Sequence, residues 1–146
     1  MKVIDRIKIK LDVGAKAPHR AHPEDAGLDL FNNNVEEATV IKPYDRATFH
    51  TGVHAEIPVG YYGKIESKSG LNVNHGIVSC GGVIDSGYDG EILVELYNIT
   101  AERYHFHRGE KIAQLIIMRC ELPEIEVVDE INSGERGNNG FGSSGR

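Results

Sequence analysis

The segment GGVIDSGYDGE, residues 81–91, places a carboxylate at the end of an apolar run. Val83 and Ile84 form that run, Asp85 follows it directly, and the aromatic ring of Tyr88 comes three residues later. A strand end holds a side chain in fixed geometry, and partial removal from water can raise the basicity of a carboxylate. Asp85 is therefore the first candidate for chemistry.

Gln114 is a second polar residue in an apolar setting, because it lies within the run Ile112–Ile116. A buried amide must find hydrogen-bond partners. Two interpretations fit this pattern: a glutamine satisfied inside the core, or a group that orients a water molecule.

The stretch ESKSGLN, residues 66–72, has features of an anion site. Ser69 and Gly70 would begin a short helix, where backbone N–H groups and the helix dipole favour negative charge. Lys68 adds a cation beside them. The alternative is a plain turn between a strand and a helix.

Asp29 lies between Leu28 and Leu30 in the stretch EDAGLDLFNN. On a strand its side chain would face away from both leucines, which favours a solvated face. Beside an anion site, the same carboxylate could instead hold Mg²⁺, directly or through the water shell of the ion.

The last 14 residues, 133–146, contain five glycines and three serines and cannot form a packed element unaided. Arg136 and Phe141 are unusual in a linker. Glycines let backbone N–H groups turn around an anion, serine hydroxyls add donors, and Phe141 offers a face for stacking. The segment is either a floppy terminus or a lid that closes over a nucleotide.

Seven histidines raise the question of a metal site. His105 and His107 share a strand face, but neither they nor His50 and His54 have an obvious third ligand. We therefore interpret the histidines as solvated side chains.

The totals are typical of one soluble globular domain. The chain has 146 residues and a formal net charge of −6, which disfavours binding to nucleic acid or to an anionic membrane. No apolar stretch approaches the ~20 residues of a membrane span. Without a secretory h-region we expect a cytoplasmic location, with Cys80 and Cys120 reduced and partly buried.

Period-two alternation of apolar and polar residues dominates, as in IKIKLDV and FHTGVHAEI, and EIEVVDEI near the end also reads as a strand. Many short strands separated by turns predict an all-β, jelly-roll-like barrel. Only SGLNVNHG favours a helix, with Ser69 as N-cap and Gly76 as terminator. We expect a barrel domain over 1–132 and a flexible arm over 133–146.

Five segments, in this order, resemble the five motifs of the homotrimeric dUTPase family: AGLDL, SKSGL, GVIDSGYDG, RGEKIAQLI and RGNNGFGSSG. They span residues 26–145. The family fold is a jelly-roll-like β-barrel (β-clip), which agrees with the alternation.

The resemblance implies that dUTP and water give dUMP and pyrophosphate, with Mg²⁺ on the triphosphate. Asp85 would be the general base for a water that attacks the α-phosphorus, and Gln114 would help to position that water. Tyr88 would pack on the deoxyribose and leave no room for a 2′-hydroxyl. Asp29 would anchor hydrated Mg²⁺.

The resemblance also implies how the substrate is bound. The hairpin backbone would select uracil, through Ser79, Gly81, Gly82 and Val83. The SKSGL motif would hold phosphates, through Lys68, Ser69 and Gly70. The arm would cover uracil and phosphates, usually in a neighbouring subunit of a trimer, through Arg136, Phe141, Gly142, Ser143 and Ser144.

Two positions depart from the family pattern. Lys68 stands where arginine is common, so the two-pronged phosphate contact is lost. Gly87 stands where an acidic residue is frequent, which predicts a more flexible turn before Tyr88.

Two alternatives remain at this point. One is a relative on the same fold that deaminates dCTP or hydrolyses another pyrimidine triphosphate. The other is a nucleotide-dependent regulatory module that binds a protein partner.

Overall fold

The computed structural model describes residues 3–145. Within that range the chain forms eleven strands and one short helix, so the predicted all-β fold is confirmed. The elements are β1 (Lys8–Leu11), β2 (Gly27–Phe31), β3 (Ala38–Ile41), β4 (Arg46–His50), β5 (Val53–Glu56), β6 (Tyr61–Glu66), α1 (Ser69–His75), β7 (Ile77–Ser79), β8 (Val83–Ile84), β9 (Leu93–Asn98), β10 (Tyr104–His107) and β11 (Lys111–Arg119).

The strands pair antiparallel in four small sheets, as in a jelly roll. The largest sheet has the order β2-β11-β6-β8 and carries most of the candidate site. A second sheet has the order β4-β9-β7, and two pairs, β1-β5 and β10-β3, complete the barrel. Long-range pairing of this kind brings residues that are far apart in the sequence to one sheet edge.

One hydrophobic core lies between the sheets and explains the alternation. Val94 and Leu96 of β9 point inward, while their neighbours along the strand are less buried, as the two-residue period requires. Phe49 of β4 meets Phe106 of β10 edge to face, with ring centroids 5.1 Å apart. These contacts hold the sheets together, and the loops at their ends are left to form a site.

The single helix begins one residue differently from the prediction. Lys68, not Ser69, occupies the N-cap position, in extended conformation and without a side-chain capping bond. Ser69 is the first helical residue, because the backbone of Lys68 is still extended at φ −75° and ψ 126°. Gly76 ends the helix as predicted, at φ +60°, and its N–H donates to the carbonyl of Asn72 over 3.0 Å.

Among residues 3–145, no helix has the length and apolar character needed to cross a bilayer.

The strand predicted for EIEVVDEI does not form within the described residues. Ile125, Val127 and Ile131 are exposed instead. A strand needs a neighbour for its N–H and C=O groups, and no strand within residues 3–145 lies alongside this segment. Cys80 is exposed and Cys120 is half-buried, and neither forms a disulfide, so partial burial is confirmed only for Cys120.

Candidate active site

Asp85 directly follows β8, the edge strand of the largest sheet. Ile84 is anchored by pairing with Gly63 of β6, and its side chain is buried, so the strand end is fixed. The Asp85 side chain itself is exposed in the isolated chain. Removal of its carboxylate from water would therefore have to come from a bound ligand or another chain segment.

The turn after Asp85 presents the ring of Tyr88. The N–H of Tyr88 donates to the carbonyl of Asp85 over 3.2 Å, and Gly87 adopts φ +89°, which favours glycine. The Tyr88 hydroxyl donates to the carbonyl of Glu91 over 2.8 Å. A cleft of about 250 Å³ lies here, lined by Val83, Ile84, Asp85, Tyr88, Glu91 and Leu93.

The hairpin between β7 and β8 contains two glycines with different environments. Gly82 has φ +103° and a Cβ there would lie 2.5 Å from the Cβ of Ile65, so only glycine fits. Gly81 has φ +77° and open space around it. The Ser79 N–H donates to the Ser67 hydroxyl over 2.8 Å, while the buried Ser79 hydroxyl has no hydrogen-bond partner among the described residues.

Asp29 lies in the middle of β2 and is only 2% exposed, so the solvated-face interpretation is wrong. Lys68 hydrogen-bonds its Oδ1, and the Lys111 Nζ lies 2.8 Å from its Oδ2 as an ion pair without directed hydrogen-bond geometry. Burial alone would raise the pKa of Asp29, but the ammonium groups of Lys111 and Lys68 outweigh burial and hold that pKa below its usual value.

This pairing bears on the predicted magnesium site. Both oxygens of Asp29 face ammonium groups, so direct coordination of a metal does not fit, and only a water-mediated contact remains. Among the described residues, no group of three or more His, Cys, Asp or Glu side chains could hold a metal ion. Most ligands of any Mg²⁺ would have to come from the substrate and water.

Lys111 was not singled out in the sequence. It precedes Gln114 by three residues in the same motif, and the register of β11 against β2 brings it to Asp29. A lysine that opens a buried strand was the available signal. Its partner could be recognised only once the strands were paired.

Gln114 lies in β11, between Asp29 of β2 and Glu66 of β6. Its Nε2 donates to the carbonyl of Ser67 over 3.0 Å, which fixes the amide. The opposite side of the amide packs against Gly27, where any Cβ would overlap it. The glutamine is thus half-buried and partly satisfied, in a position next to the predicted phosphate-binding residues Lys68, Ser69 and Gly70.

The register separates Asp85 from Gln114 within one chain. Gly63 of β6 pairs with the residue before Asp85, so Asp85 follows at the level of Tyr62, whereas Gln114 pairs with Glu66. The offset along the sheet is about 13 Å at the usual rise per residue. β6 also lies between the two strands. One chain therefore does not bring the two predicted catalytic side chains to one water molecule.

The arm residues 133–145 contact one another rather than the cleft. The Arg136 Nε donates to the Ser143 hydroxyl over 3.1 Å, so two of the predicted lid residues meet. Phe141 is fully exposed, and Gly142 and Ser144 are exposed as well. The arm does not cover the Asp85 cleft of its own chain.

Residues 14–145 match the dUTPase family. The chain is 41% identical over 141 residues to the deoxyuridine 5'-triphosphate nucleotidohydrolase of Anaplasma marginale (strain St. Maries), which covers 95% of each protein. Its structure matches the dUTPase of Staphylococcus bacteriophage 80alpha with dUPNHPP at a TM-score of 0.89 and 31% identity, over 98% of this chain and 100% of that one.

A mutant dUTPase of phage phi11 of S. aureus, described with a coordinated structural Mg(II) ion, matches at a TM-score of 0.78 and 29% identity, over 86% of this chain and 98% of that one. Sequence and structure thus agree across nearly the whole chain. The predicted resemblance is confirmed, and the chain belongs to the dUTPase family.

Proposed function

We propose that this chain hydrolyses dUTP to dUMP and pyrophosphate. The observation that carries the proposal is the position of Asp85 at the anchored end of β8, beside the Tyr88 ring, in a chain of the dUTPase family. Water attacks the α-phosphorus and its proton passes to Asp85. The bond between the α-phosphorus and the oxygen that bridges it to the β-phosphorus breaks. Pyrophosphate leaves with that oxygen.

The hairpin supplies base and sugar recognition in this proposal. Open space at Gly81 lets the pyrimidine edge approach the backbone of residues 79–83. Tyr88 forms the wall against which deoxyribose packs and a 2′-hydroxyl clashes.

The phosphates would be held by Lys68 and Lys111, with the N–H groups of Ser69 and Gly70 beside them. Asp29 keeps the two ammonium groups next to each other before substrate arrives. When bound with the triphosphate, Mg²⁺ would neutralise phosphate charge. In this arrangement Asp29 would reach the hydrated ion only through water.

We also propose a homotrimer with shared sites. The offset between Asp85 and Gln114 supports this, because a second chain could bring its Gln114, Lys68 and Lys111 to the Asp85 cleft of the first. Fully exposed Phe141 and the exposed apolar residues of segment 124–131 support contacts beyond the single chain. The barrel 1–132 and the arm 133–146 would then act on different sites.

The net charge of −6 disfavours nucleic acid and anionic membranes as partners, whereas the neighbouring ammonium groups of Lys68 and Lys111 support the anionic substrate dUTP, and we propose a cytoplasmic location. The decisive measurement is pyrophosphate release from dUTP, dCTP, dTTP and UTP, with and without Mg²⁺. Of these four nucleotides, we expect rapid pyrophosphate release only from dUTP. Ammonia release from dCTP with little turnover of dUTP would establish the deaminase alternative instead.

A regulatory role is a second candidate, because the phage 80alpha relative is described among dUTPases that control transfer of virulence genes. The two candidates are separable. A chain that binds dUTP and changes shape without releasing pyrophosphate would be a regulator only.

A further inference from the structure

His54 is not the solvated histidine predicted from the sequence. It lies in β5, and its side chain is only 18% exposed. Its Nδ1 lies 2.8 Å from the carbonyl oxygen of Asp89, and its Nε2 lies 3.0 Å from Oδ2 and 3.1 Å from Oδ1 of Asp12. The imidazole therefore joins the N-terminal segment to the turn that carries Tyr88.

Both contacts require His54 to donate. A carbonyl oxygen and an ionised carboxylate only accept hydrogen bonds, so both ring nitrogens must carry protons. The backbone bond to Asp89 and then the bond to Asp12 raise the pKa of His54 above its usual value. A neutral ring carries one proton, and the charge-assisted bond from Nε2 to the Asp12 carboxylate is the stronger of the two, so the bond from Nδ1 to the Asp89 carbonyl would be the one to fail.

The charges around His54 leave Asp12 as its ionic partner. Lys10 of β1 lies 4.0 Å from the Asp12 carboxylate and opposes protonation of the imidazole. Other charged groups of the packed elements are engaged elsewhere: Lys8 with Glu56 at 3.2 Å, and Glu91 with His50 at 2.9 Å and with the Gly52 N–H at 2.8 Å. The Asp89 carboxylate is exposed.

Two spaces adjoin the Tyr88 turn. One is the Asp85 cleft, and the other is an open groove of about 390 Å³, lined by residues of β1 and β5 together with Gly87, Tyr88 and Asp89. Gly87 gives the turn a flexible residue where the family often has an acidic one. The bond from His54 to the Asp89 carbonyl therefore ties the turn to β5 and limits its movement.

We propose that His54 is a positioning residue which, through the Asp89 carbonyl, holds the Tyr88 turn against deoxyribose and makes dUTP affinity depend on pH. The inference rests on the proposed function and adds a specificity determinant to it. The anchor is complete while the imidazole is doubly protonated, and it is lost as pH rises through the pKa of His54 in the folded chain. Asp85 directly follows the paired residue Ile84, whereas the anchor acts four residues later at Asp89, so binding should change more than turnover.

The test compares wild type with His54→Gln from pH 6 to pH 9, measuring KM and kcat for dUTP and the calorimetric Kd of a dUTP analogue. Titration of the substrate phosphates affects both proteins equally, so it cancels in the ratio of the KM or Kd of the variant to that of wild type. We expect KM and Kd of the variant to be about 5-fold higher at pH 6, as for loss of one charge-assisted hydrogen bond, and near wild type at pH 9. The value of kcat should stay within about twofold, and selectivity for dUTP over UTP should fall at pH 6.

Asp12→Asn is the second variant, and it carries the test should His54→Gln fail to fold. Without the carboxylate, the pKa of His54 falls, so the rise of KM with pH should begin at lower pH than in wild type. His105→Gln, which replaces an exposed histidine of β10, is the control. Its KM should equal the wild-type KM at every pH from 6 to 9.

A KM ratio that does not vary with pH, or equal changes in kcat and KM, would overturn the inference. Wild type that binds the analogue but releases no pyrophosphate would refute the hydrolase proposal, while the Kd ratio would still decide the role of His54. Absence of binding at every pH would refute both.

Discussion

The Lys111 Nζ lies 2.8 Å from Oδ2 of Asp29, and Lys68 binds the other oxygen of the same carboxylate. One buried anion thus holds two ammonium groups together, and the three side chains carry a net positive charge. Lys68 is the residue that replaces the usual arginine of the family. Lys68 keeps the charge of that arginine, and Lys111 places a second ammonium group on the same carboxylate.

Lys111→Met should destabilise the fold and shift its acid sensitivity. Because the folded-state pKa of Asp29 is lowered, its ionised form stabilises the fold above the ordinary pKa of 3.8, and this stabilisation is lost as pH falls through the folded-state pKa. With Lys68 alone opposing burial, the loss should begin at higher pH. We expect about 2 kcal/mol less unfolding free energy at pH 7 by urea denaturation.

Lys8→Met is the matched control for that experiment. Lys8 pairs with Glu56 on an exposed surface at 3.2 Å, and such pairs contribute about 0–1 kcal/mol. Equal effects of the two substitutions would show that burial of Asp29 has no energetic consequence.

Asp85→Asn should retain substrate affinity and lose turnover. The amide keeps the size of the side chain but cannot take a proton from water, so we expect kcat to fall by about 10²–10⁴ with the Kd for dUTP changed only a few-fold. Pyrophosphate release and calorimetry measure the two quantities. Glu36→Gln, which changes an exposed carboxylate in the loop between β2 and β3, should leave both unchanged. Near-normal turnover of the Asp85 variant would refute its assignment as the base.

Gly82→Ala and Gly81→Ala should separate fold from recognition in the hairpin. A methyl group at Gly82 would press on Ile65, so we expect a loss of more than about 2 kcal/mol of unfolding free energy, whereas Gly81 has open space and should lose about 1 kcal/mol through its positive φ. The same Gly81 variant should raise KM for dUTP, since its methyl group occupies the space proposed for uracil. Unchanged KM would place uracil elsewhere.

Removal of residues 134–146 should spare assembly and abolish efficient hydrolysis. The arm makes its hydrogen bond from Arg136 to Ser143 within itself, so the barrel does not depend on it. Sedimentation analysis should show the same oligomer for both chains, and pyrophosphate release should show the loss of activity. Phe141→Ala in the full chain removes only the aromatic ring of the arm, so it tests that ring separately. Retained activity in the truncated chain would mean that the arm is only a tail.

Much of the barrel could be predicted because strand alternation is a local property. The short helix and its end at Gly76 were likewise local, since a left-handed residue after a helix favours glycine. The segment 124–131 has the same alternation and yet forms no strand in the isolated chain. Its pattern describes the faces of a strand, whereas strand formation also needs a partner edge.

The order and content of the five motifs, read from the sequence alone, determined the family, the reaction to be tested and the candidates Asp85, Tyr88 and Gln114. Only the tertiary structure decided that Asp29 is buried between two lysines, that His54 bridges Asp12 and Asp89, and that Asp85 lies far along the sheet from Gln114. The physical reason is that motif chemistry depends on residue type and near neighbours. Burial, ion pairing and separation instead depend on which distant strands lie side by side, and in which register.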